Sequence, residues 1–401
     1  MIKEYSMIAA LFWLFTGSVI YTYAGYPALL TLLARFRRER GPYPHAEPAV
    51  TLLIAAYNEE AEIARKIENS LALDYPREQL QLLIIADGSS DRTPEIVQQY
   101  ADRGVELLYE APRRGKMAAI NRAIPFVRGE IIVFSDANNR YDANVIRELV
   151  APFADADVGA VSGAKVIEKG DGALGESEGL YWRYESFVKK QESKLAGCTA
   201  VAGEVLAIRS DLFESPPDEI INDDTHMGMR IIARGFRIHY APQARSHERV
   251  SQSAQDEIAR RARIFAGRYQ AITYARSLWP FRRPLALWQL LSHQTLRTLV
   301  AVNMVGALVM NILAVLSPSK AKSHKLLRLA APFNWLLLIF QIVFYTMAWL
   351  GGRVDSNSKL GKVVYIPTFL VNSNWAGLIG LYRFVRRRQT TLWQRVGRRT
   401  N

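Results

Sequence analysis

Two kinds of hydrophobic pattern divide this chain. Four long stretches contain no charged residue, and a helix needs roughly 20 apolar residues to cross the hydrocarbon core of a bilayer. These stretches are residues 5–34, 298–319, 329–352 and 363–382. Between the first and the second stretch, short apolar runs alternate with polar segments. The pattern therefore predicts a globular part that is held between membrane segments.

The globular part begins with four short apolar runs, each followed by a polar segment. The runs are residues 49–55, 80–86, 105–109 and 130–134. Short strands that alternate with helices are typical of βα units and of a mostly parallel sheet. In such sheets ligands bind just beyond the carboxyl ends of the strands. We therefore expect an α/β fold whose functional residues follow these runs.

Basic residues indicate how the apolar stretches are oriented. The formal charge is +13, and many positive residues lie in segments 35–40 and 383–399. Such flanks usually face the cytoplasm. With both flanks inside, stretch 5–34 and two carboxyl-terminal stretches cross the membrane. Residues 363–382, which contain Pro367 and the polar triplet 372–374, are then interfacial or re-entrant. The basic segment 320–328 opposes this arrangement, because it lies outside.

Other classes of protein are less compatible with the sequence. A signal peptide is an alternative for stretch 5–34, but the apolar run exceeds the usual 7–15 residues. No nucleic-acid-binding module accompanies the positive charge, so we expect no nucleic acid partner. The single cysteine, Cys198, excludes an internal disulfide and a zinc–thiolate cluster. The expected boundaries are an anchor at 1–40, the α/β domain at 48–250, amphipathic helices at 251–284 and a membrane region at 285–401.

Acidic and amide side chains follow two of the expected strands. Asp87 follows the second run, and Asp136 follows the fourth, within Ser135-Asp136-Ala137-Asn138. This tetrapeptide has the form of an Asp-x-Asp metal site in which an amide replaces the second acid. Mg²⁺ accepts carboxylate and amide oxygens, so the pattern predicts a divalent-metal site. A helix N-cap is the alternative role for Asp136.

Three further segments carry candidate chemistry. The basic loop Arg113-Arg114-Gly115-Lys116 suits a pyrophosphate, with a solvated surface as the alternative. Asp223 and Asp224 are adjacent acids at the start of a helical pattern and can supply a general base. On the amphipathic segment 252–275, Arg260, Arg261 and Arg263 suit a diphosphate. A membrane-surface helix is the alternative there.

In their order and spacing, these motifs resemble the family 2 inverting glycosyltransferases of bacterial polysaccharide synthesis. That branch fuses a GT-A fold to membrane helices and includes poly-N-acetylglucosamine, hyaluronan and cellulose synthases. The resemblance extends from Val50 to about Gly397. The stretches that carry it are Ala56-Tyr57-Asn58-Glu59-Glu60, Ala86-Asp87-Gly88-Ser89-Ser90-Asp91, Arg114-Gly115-Lys116 with Asn121, Ser135-Asp136-Ala137-Asn138, Gly203-Glu204 with Ala207-Ile208-Arg209, and Asn222-Asp223-Asp224.

The resemblance implies a transfer from a UDP-sugar to a glycan or lipid-linked acceptor at the cytoplasmic face of the inner membrane. It also implies Mg²⁺ or Mn²⁺ as cofactor, and membrane lipids and polysaccharide-secretion components as partners. The implied roles are Tyr57, Glu59 and Asp87 at the uridine, Lys116 at the nucleotide, Asp136 and Asn138 at the metal and diphosphate, Arg263 at a phosphate, Gly203 and Glu204 at the acceptor, and Asp224 as general base beside Asp223.

One departure from the family changes the expected product. The family's Gln-x-x-Arg-Trp helix appears here as Arg260, Arg263 and Ile264. An aromatic platform for a growing sugar chain is therefore missing at residue 264. Transfer of a single sugar to a lipid-linked acceptor accordingly stands beside polysaccharide synthesis. A catalytically silent, nucleotide-binding membrane scaffold is a third, minor interpretation.

Overall fold

A mixed sheet forms the centre of the globular part. The computed structural model describes residues 2–38, 40–168, 172–251, 253–274, 277, 279–317, 326–351, 353–354, 358–390 and 392. Within them the strands are β1 (Val50–Ala56), β2 (Leu80–Asp87), β3 (Val105–Glu110), β4 (Ile131–Asp136), β5 (Arg140–Tyr141), β6 (Val158–Ile167), β7 (Leu206–Arg209) and β8 (Arg237–Glu248). Their order in the sheet is β3-β2-β1-β4-β7-β6-β8-β5.

The expected α/β architecture is confirmed. Each of the four apolar runs is a strand, and β3, β2, β1 and β4 are parallel neighbours. Every residue of β1 and β2 is buried, as continuous apolar strands in the middle of a covered sheet should be. Strand β7 then pairs antiparallel with both β4 and β6. The carboxyl ends of β1, β2 and β4 therefore open at one edge, where the polar segments follow.

The helices of the globular part cover this sheet or follow it in the chain. They are α3 (Ile63–Leu71), α4 (Thr93–Gln98), α5 (Lys116–Ala123), α6 (Val145–Val150), α7 (Gly172–Leu195), α8 (Asp223–Ala233) and α9 (Ala254–Thr273). The amino-terminal helices are α1 (Ile2–Ile20) and α2 (Tyr26–Ala34), and the carboxyl-terminal helices are α10 (Pro284–Leu290), α11 (Leu296–Leu316), α12 (Phe333–Gly351) and α13 (Lys359–Val385).

Three helical segments among the described residues are long and apolar enough to cross a membrane, by length and composition. They are Met7–Ala34, Pro284–Leu316 and Phe333–Gly351. The first two are continuous through π-helical turns at Tyr21–Gly25 and Leu291–Thr295. Helices α1 and α11 pack against each other, and Asn303 Nδ2 donates a hydrogen bond to Ser18 Oγ at 2.8 Å. The amino-terminal segment and the middle segment therefore form one helical unit.

The proline and the polar triplet of the last apolar stretch do not break its helix. Helix α13 continues through this proline as one helix of 27 residues. Its polar side chains bond to their own helix: Thr368 Oγ1 donates to the Val364 carbonyl at 2.7 Å, and Asn374 Nδ2 donates to the Leu370 carbonyl at 2.7 Å. Such bonds satisfy polar groups without breaking the helix. The interfacial placement of this segment, like the expected domain boundaries, stays a prediction.

Helix α9 lies between the globular part and α13. Its amino terminus is capped by Ser253, whose Oγ accepts a hydrogen bond from the Asp256 N–H at 3.1 Å. Glycines allow close approach on two sides of α9. A Cβ at Gly267 would lie 2.5 Å from Asn222 Cβ, and one at Gly380 of α13 would lie 2.7 Å from the Ala262 carbonyl oxygen. Helix α9 is therefore wedged tightly between two partners. One is the segment that precedes α8, and the other is helix α13.

Candidate active site

The loops after β1 and β2 are joined by hydrogen bonds at the sheet edge. Asn58 adopts a positive φ of 53°, a conformation that asparagine tolerates better than most residues. Its N–H donates to Ser89 Oγ at 3.1 Å, and its Oδ1 accepts from the Ser90 N–H at 2.8 Å. Beside it, the Arg113 guanidinium lies 3.6 Å from the centre of the Tyr57 ring. The two loops and the basic loop thus form one wall of a cleft.

Asp87 holds the basic loop in place. Its side chain is 0% exposed, and its carboxylate accepts hydrogen bonds from the backbone N–H groups of Arg114 and Gly115 at 3.0 and 2.7 Å. Arg122 Nη2 donates a third bond at 3.0 Å. Three donors satisfy a buried carboxylate well. These bonds within the chain already engage the Asp87 oxygens. A direct contact between Asp87 and a uridine stays a prediction.

Lys116 brings two of the expected acids together. Its Nζ lies 2.9 Å from Asp136 Oδ1 and 3.1 Å from Asp223 Oδ2. Burial alone would lower the pKa of Lys116, but the charges of Asp136 and Asp223 outweigh burial and raise the pKa above its usual range. The ammonium is therefore fixed in its charged form. Asp136 and Asp223, which lie 20 and 107 positions from Lys116 along the chain, thus share one cation.

Asp136 and Asn138 provide oxygen atoms that suit a hard divalent cation. The Asp136 side chain is 40% exposed at the cleft. Asn138 Oδ1 is buried and accepts no hydrogen bond within the described part of the chain. Among all the residues that the structure describes, no group of three or more His, Cys, Asp or Glu side chains could hold a metal. A metal here would therefore take most of its ligands from phosphate oxygens and water, as Mg²⁺ commonly does.

Asp224 is the carboxylate whose environment best suits a base. Its Oδ2 accepts a hydrogen bond from the Gly203 N–H at 3.1 Å, and its Oδ1 accepts one from the Thr225 N–H. Burial raises the pKa of Asp224 to about 6, and the charge of Asp223 acts in the same direction. A carboxylate with a raised pKa is a stronger base and is still ionised at neutral pH.

The two expected acceptor residues differ in their contacts with this carboxylate. Gly203 contacts Asp224 directly, whereas the Glu204 side chain is nearly buried and its Oε1 lies 3.2 Å from Lys165 Nζ. Lys165 also pairs with Glu248. The Glu204 backbone carbonyl accepts hydrogen bonds from Asn139 Nδ2 at 2.9 Å and from the Tyr141 hydroxyl at 2.6 Å. A contact between Glu204 and an acceptor stays a prediction.

A buried lysine that the sequence analysis missed supports the segment around Asp136. Lys66 of α3 is 1% exposed, its Nζ donates to Asn139 Oδ1 at 2.6 Å and it lies 4.1 Å from the centre of the Tyr141 ring. Burial lowers the pKa of Lys66 to about 7, although the charge of Asp136 opposes this. A signal existed: Lys66 stands between Ile63 and Ile67 on the buried face of its helix.

Helix α9 clamps the segment that leads into the acidic pair. Arg263 Nη1 donates to the Ile221 carbonyl at 3.0 Å, and Gln270 Oε1 accepts from the Ile221 N–H at 3.0 Å. Gln270 Nε2 also donates to the Glu219 carbonyl at 3.0 Å. Arg263 is thus brought to the site, but its bond is to the chain itself. Its contact with a phosphate stays a prediction.

The other two arginines of the helix are occupied by acids. Arg260 Nη2 lies 2.6 Å from Glu257 Oε1, and Arg261 Nε lies 2.9 Å from the same oxygen. Arg261 also pairs with Glu178 of α7. The Arg261–Glu178 pair ties α9 to α7, whereas the bonds to Glu257 lie within α9. They are not the array of unoccupied guanidiniums that the sequence pattern indicated.

The chain is similar in sequence to known proteins. A family model described as "Glycosyltransferase like family 2" matches residues 48–267, more than half of the chain. A β-monoglucosyldiacylglycerol synthase of Trichormus variabilis is 30% identical over 223 residues, 52% of this chain and 47% of the relative. A poly-β-1,6-N-acetyl-D-glucosamine synthase of Staphylococcus aureus is 28% identical over 203 residues, 49% of this chain and 48% of the relative. The chain spans about half the length of these two relatives.

A solved structure shares the fold over nearly the whole chain. It is a mannosyltransferase of Pyrobaculum calidifontis, in complex with GDP-mannose and Mn²⁺. The TM-score is 0.73 at 20% identity, and the alignment covers 95% of this chain and 100% of that protein. The likeness includes the helices outside the sheet, because the globular part alone is much shorter than this coverage.

Proposed function

Because the chain belongs to glycosyltransferase family 2, we propose that it is a membrane-bound, inverting enzyme. It moves a hexose or N-acetylhexosamine from a UDP-sugar to a glycolipid or polysaccharide acceptor. The observation that carries the proposal is the arrangement of Asp224, whose pKa is raised to about 6, next to the Asp136–Lys116–Asp223 cluster. This combination places a base beside a partly neutralised acidic surface.

The proposed reaction is a single displacement. An acceptor hydroxyl loses its proton to Asp224, and its oxygen forms a bond to the anomeric carbon of the donor. The bond between that carbon and the β-phosphate oxygen breaks, and UDP leaves with the electron pair. The rigid bonds from Gly203 and Thr225 orient the Asp224 carboxylate. Orientation of this kind contributes because the base is already positioned when the substrates meet.

The leaving diphosphate needs positive charge. Lys116 provides a fixed ammonium that Asp136 and Asp223 hold at the cleft. Asp136 and Asn138 would hold Mg²⁺ or Mn²⁺, which stabilises negative charge on a departing phosphate. Arg113, stacked on Tyr57, extends the positive wall. These residues support the proposed preference for an anionic, nucleoside diphosphate donor.

A glycolipid product is favoured over a long polymer. Ile264 offers no aromatic platform for a growing chain, and Glu257 already engages the Arg260 guanidinium. The 30% identical relative is named as a glucosyldiacylglycerol synthase, which supports a lipid acceptor. The three candidate spans support residence in the membrane. The basic flank at 35–38 supports a catalytic part on the cytoplasmic side, at an inner membrane.

The proposal is tested with purified protein in detergent. UDP-glucose, UDP-galactose, UDP-N-acetylglucosamine and GDP-mannose are supplied separately with a total lipid extract, and nucleotide diphosphate release is measured. We expect UDP release with one UDP-sugar and one sugar added to a lipid. Release of GDP alone would contradict the donor, and a product ladder on a gel would contradict single transfer. Binding without any release would favour the catalytically silent scaffold.

A further inference from the structure

A groove lies where the first candidate span meets the globular part. It has a volume of about 390 Å³ and is lined by Pro27, Ala28, Thr31 and Leu32 of α2, by Arg35 and by Phe187 of α7. The volume is within the roughly 300–1,000 Å³ of small-molecule sites. From residue 27 to residue 35 the groove follows α2 for about 12 Å. The active-site residues described above do not line it.

We propose that this groove binds one anionic phospholipid, with an acyl chain along α2 and the phosphate at Arg35. Next to the lining residues in the chain, Tyr26 and Leu30 of α2 pack with Val188 of α7 and are almost fully buried, so the two helices are in tight contact. The rim of the groove is apolar and open: Leu32 is 50% exposed and Phe187 is 44% exposed. An acyl chain would cover both side chains.

The positive charge at the end of the groove favours a lipid with an anionic headgroup. Arg35 is exposed, and no ion pair joins it to an acid within the described part of the chain. Arg37 and Arg38 follow it and are also exposed. A free guanidinium at the end of an apolar groove binds a phosphate by charge-assisted hydrogen bonds. Basic residues beside a span are attracted to anionic lipids by about 1 kcal/mol each.

The position of the groove gives it a structural role. Helix α7, which contributes Phe187, also contributes Glu178 to the ion pair with Arg261 of α9. A lipid bound between α2 and α7 would therefore hold a helix that is also ion-paired to α9, the helix that clamps the catalytic segment. The inference rests on the proposed membrane placement, but it does not depend on the transfer reaction.

Native mass spectrometry tests this inference on the full chain in detergent. Phosphatidylglycerol and phosphatidylcholine with identical acyl chains are titrated onto the wild-type protein and four variants. Arg35→Gln removes the charge, and Ala28→Trp fills the groove from an exposed position. Arg77→Gln removes an exposed charge elsewhere, and Leu14→Trp places the same bulk on an exposed position of α1. The last two variants are the matched controls.

We expect the wild-type protein to prefer phosphatidylglycerol, and Arg35→Gln to weaken its binding about fivefold, the equivalent of one basic residue. Ala28→Trp should remove the bound lipid, and both controls should behave as wild type. Equal binding of the two lipids, or equal effects of Arg35→Gln and Arg77→Gln, would overturn the inference, as would equal effects of Ala28→Trp and Leu14→Trp. UDP release is measured in parallel, so failure of the transfer reaction is distinguished from failure of lipid binding.

Discussion

The backbone N–H of Gly203 donates a hydrogen bond to Asp224 Oδ2 at 3.1 Å, and the two residues touch so closely that no side chain fits between them. A Cβ on Gly203 would lie 2.8 Å from Asp224 Cβ and 3.1 Å from its Oδ2. The segment before β7 therefore fixes the orientation of the carboxylate that we propose as the base. Glycine is required at residue 203 for space.

Gly203→Ala should lower turnover at least tenfold, because the new methyl group displaces the Asp224 carboxylate and about 1.4 kcal/mol of lost orientation costs a factor of ten. The affinity for UDP, measured by calorimetry, should not change. Gly179→Ala is the control, since the methyl group there would meet only a flexible arginine side chain at 3.6 Å. Equal turnover in the two variants would contradict the positioning role of Gly203.

Asp224→Asn should lower turnover by about 10² to 10⁴, the usual contribution of a general base. The variant keeps the shape of the side chain, so UDP binding should match that of the wild type. Asp211→Asn, which removes an exposed carboxylate elsewhere, serves as control. An Asp224→Asn enzyme with near-normal turnover would show that another group accepts the proton.

The pH profile should report the raised pKa of Asp224. A base must be deprotonated to act, so kcat/KM should fall as pH decreases through about 6, and not through the ordinary value of 3.8. Asp223→Asn removes a neighbouring negative charge that raises this pKa. The acidic limb of the variant should therefore move to lower pH. A limb that stays in place would mean that Asp223 does not act on the base.

Gln270→Ala should lower kcat several-fold and leave UDP affinity unchanged. The substitution removes the hydrogen bonds to Ile221 and Glu219 that hold the segment before the acidic pair. Gln98→Ala, on an exposed position of α4, is the matched control. If the acidic limb of the pH profile also moves, the catalytic segment has shifted; a general loss of stability would lower kcat without moving that limb. If Gln270→Ala matches Gln98→Ala, the clamp is not needed for activity.

Chelation should test the proposed metal site. EDTA should abolish transfer, and Mn²⁺ or Mg²⁺ should restore it. Asn138→Ala removes a buried carbonyl oxygen that has no partner in the described residues. It should raise the metal concentration needed for half-maximal activity by about tenfold, the lower end for loss of a group that supports a metal site. Full activity in EDTA would indicate that Lys116 alone neutralises the leaving group.

The sequence allowed the sheet to be predicted because its signal is local. Apolar runs of five to seven residues with polar segments after them became β1 to β4, and the carboxyl ends of β1, β2 and β4 met as parallel strands must. The grouping of Asp136 with Asp223 could be predicted from the sequence only in part. The chain reaches Asp223 through β6, α7 and β7, so no short-range pattern encodes its distance from Lys116.

Other features depend on which partners the polar side chains find in the folded chain. Pro367 interrupts the apolar pattern of its stretch, yet Thr368 and Asn374 bond to the carbonyls of their own helix, and α13 continues. The arginines of α9 read as unoccupied charges, yet Glu257 and Glu178 neutralise Arg260 and Arg261. Three of these four bonds join residues three or four positions apart in one helix, and the Arg261–Glu178 pair links two helices that are far apart in the chain.

The wedge of α9 between Asn222 and Gly380 has a practical consequence for protein engineering. A shortened protein that ends before residue 254 would retain all eight described strands, Lys116 and both members of the acidic pair. It would lose Gly267, Gln270 and Arg263, and with them the contacts described above that hold segment 219–222. Such a fragment would keep the candidate span Met7–Ala34. It should still bind nucleotide, while turning over poorly. Detergents that separate α13 from α9 should have the same effect on the intact chain.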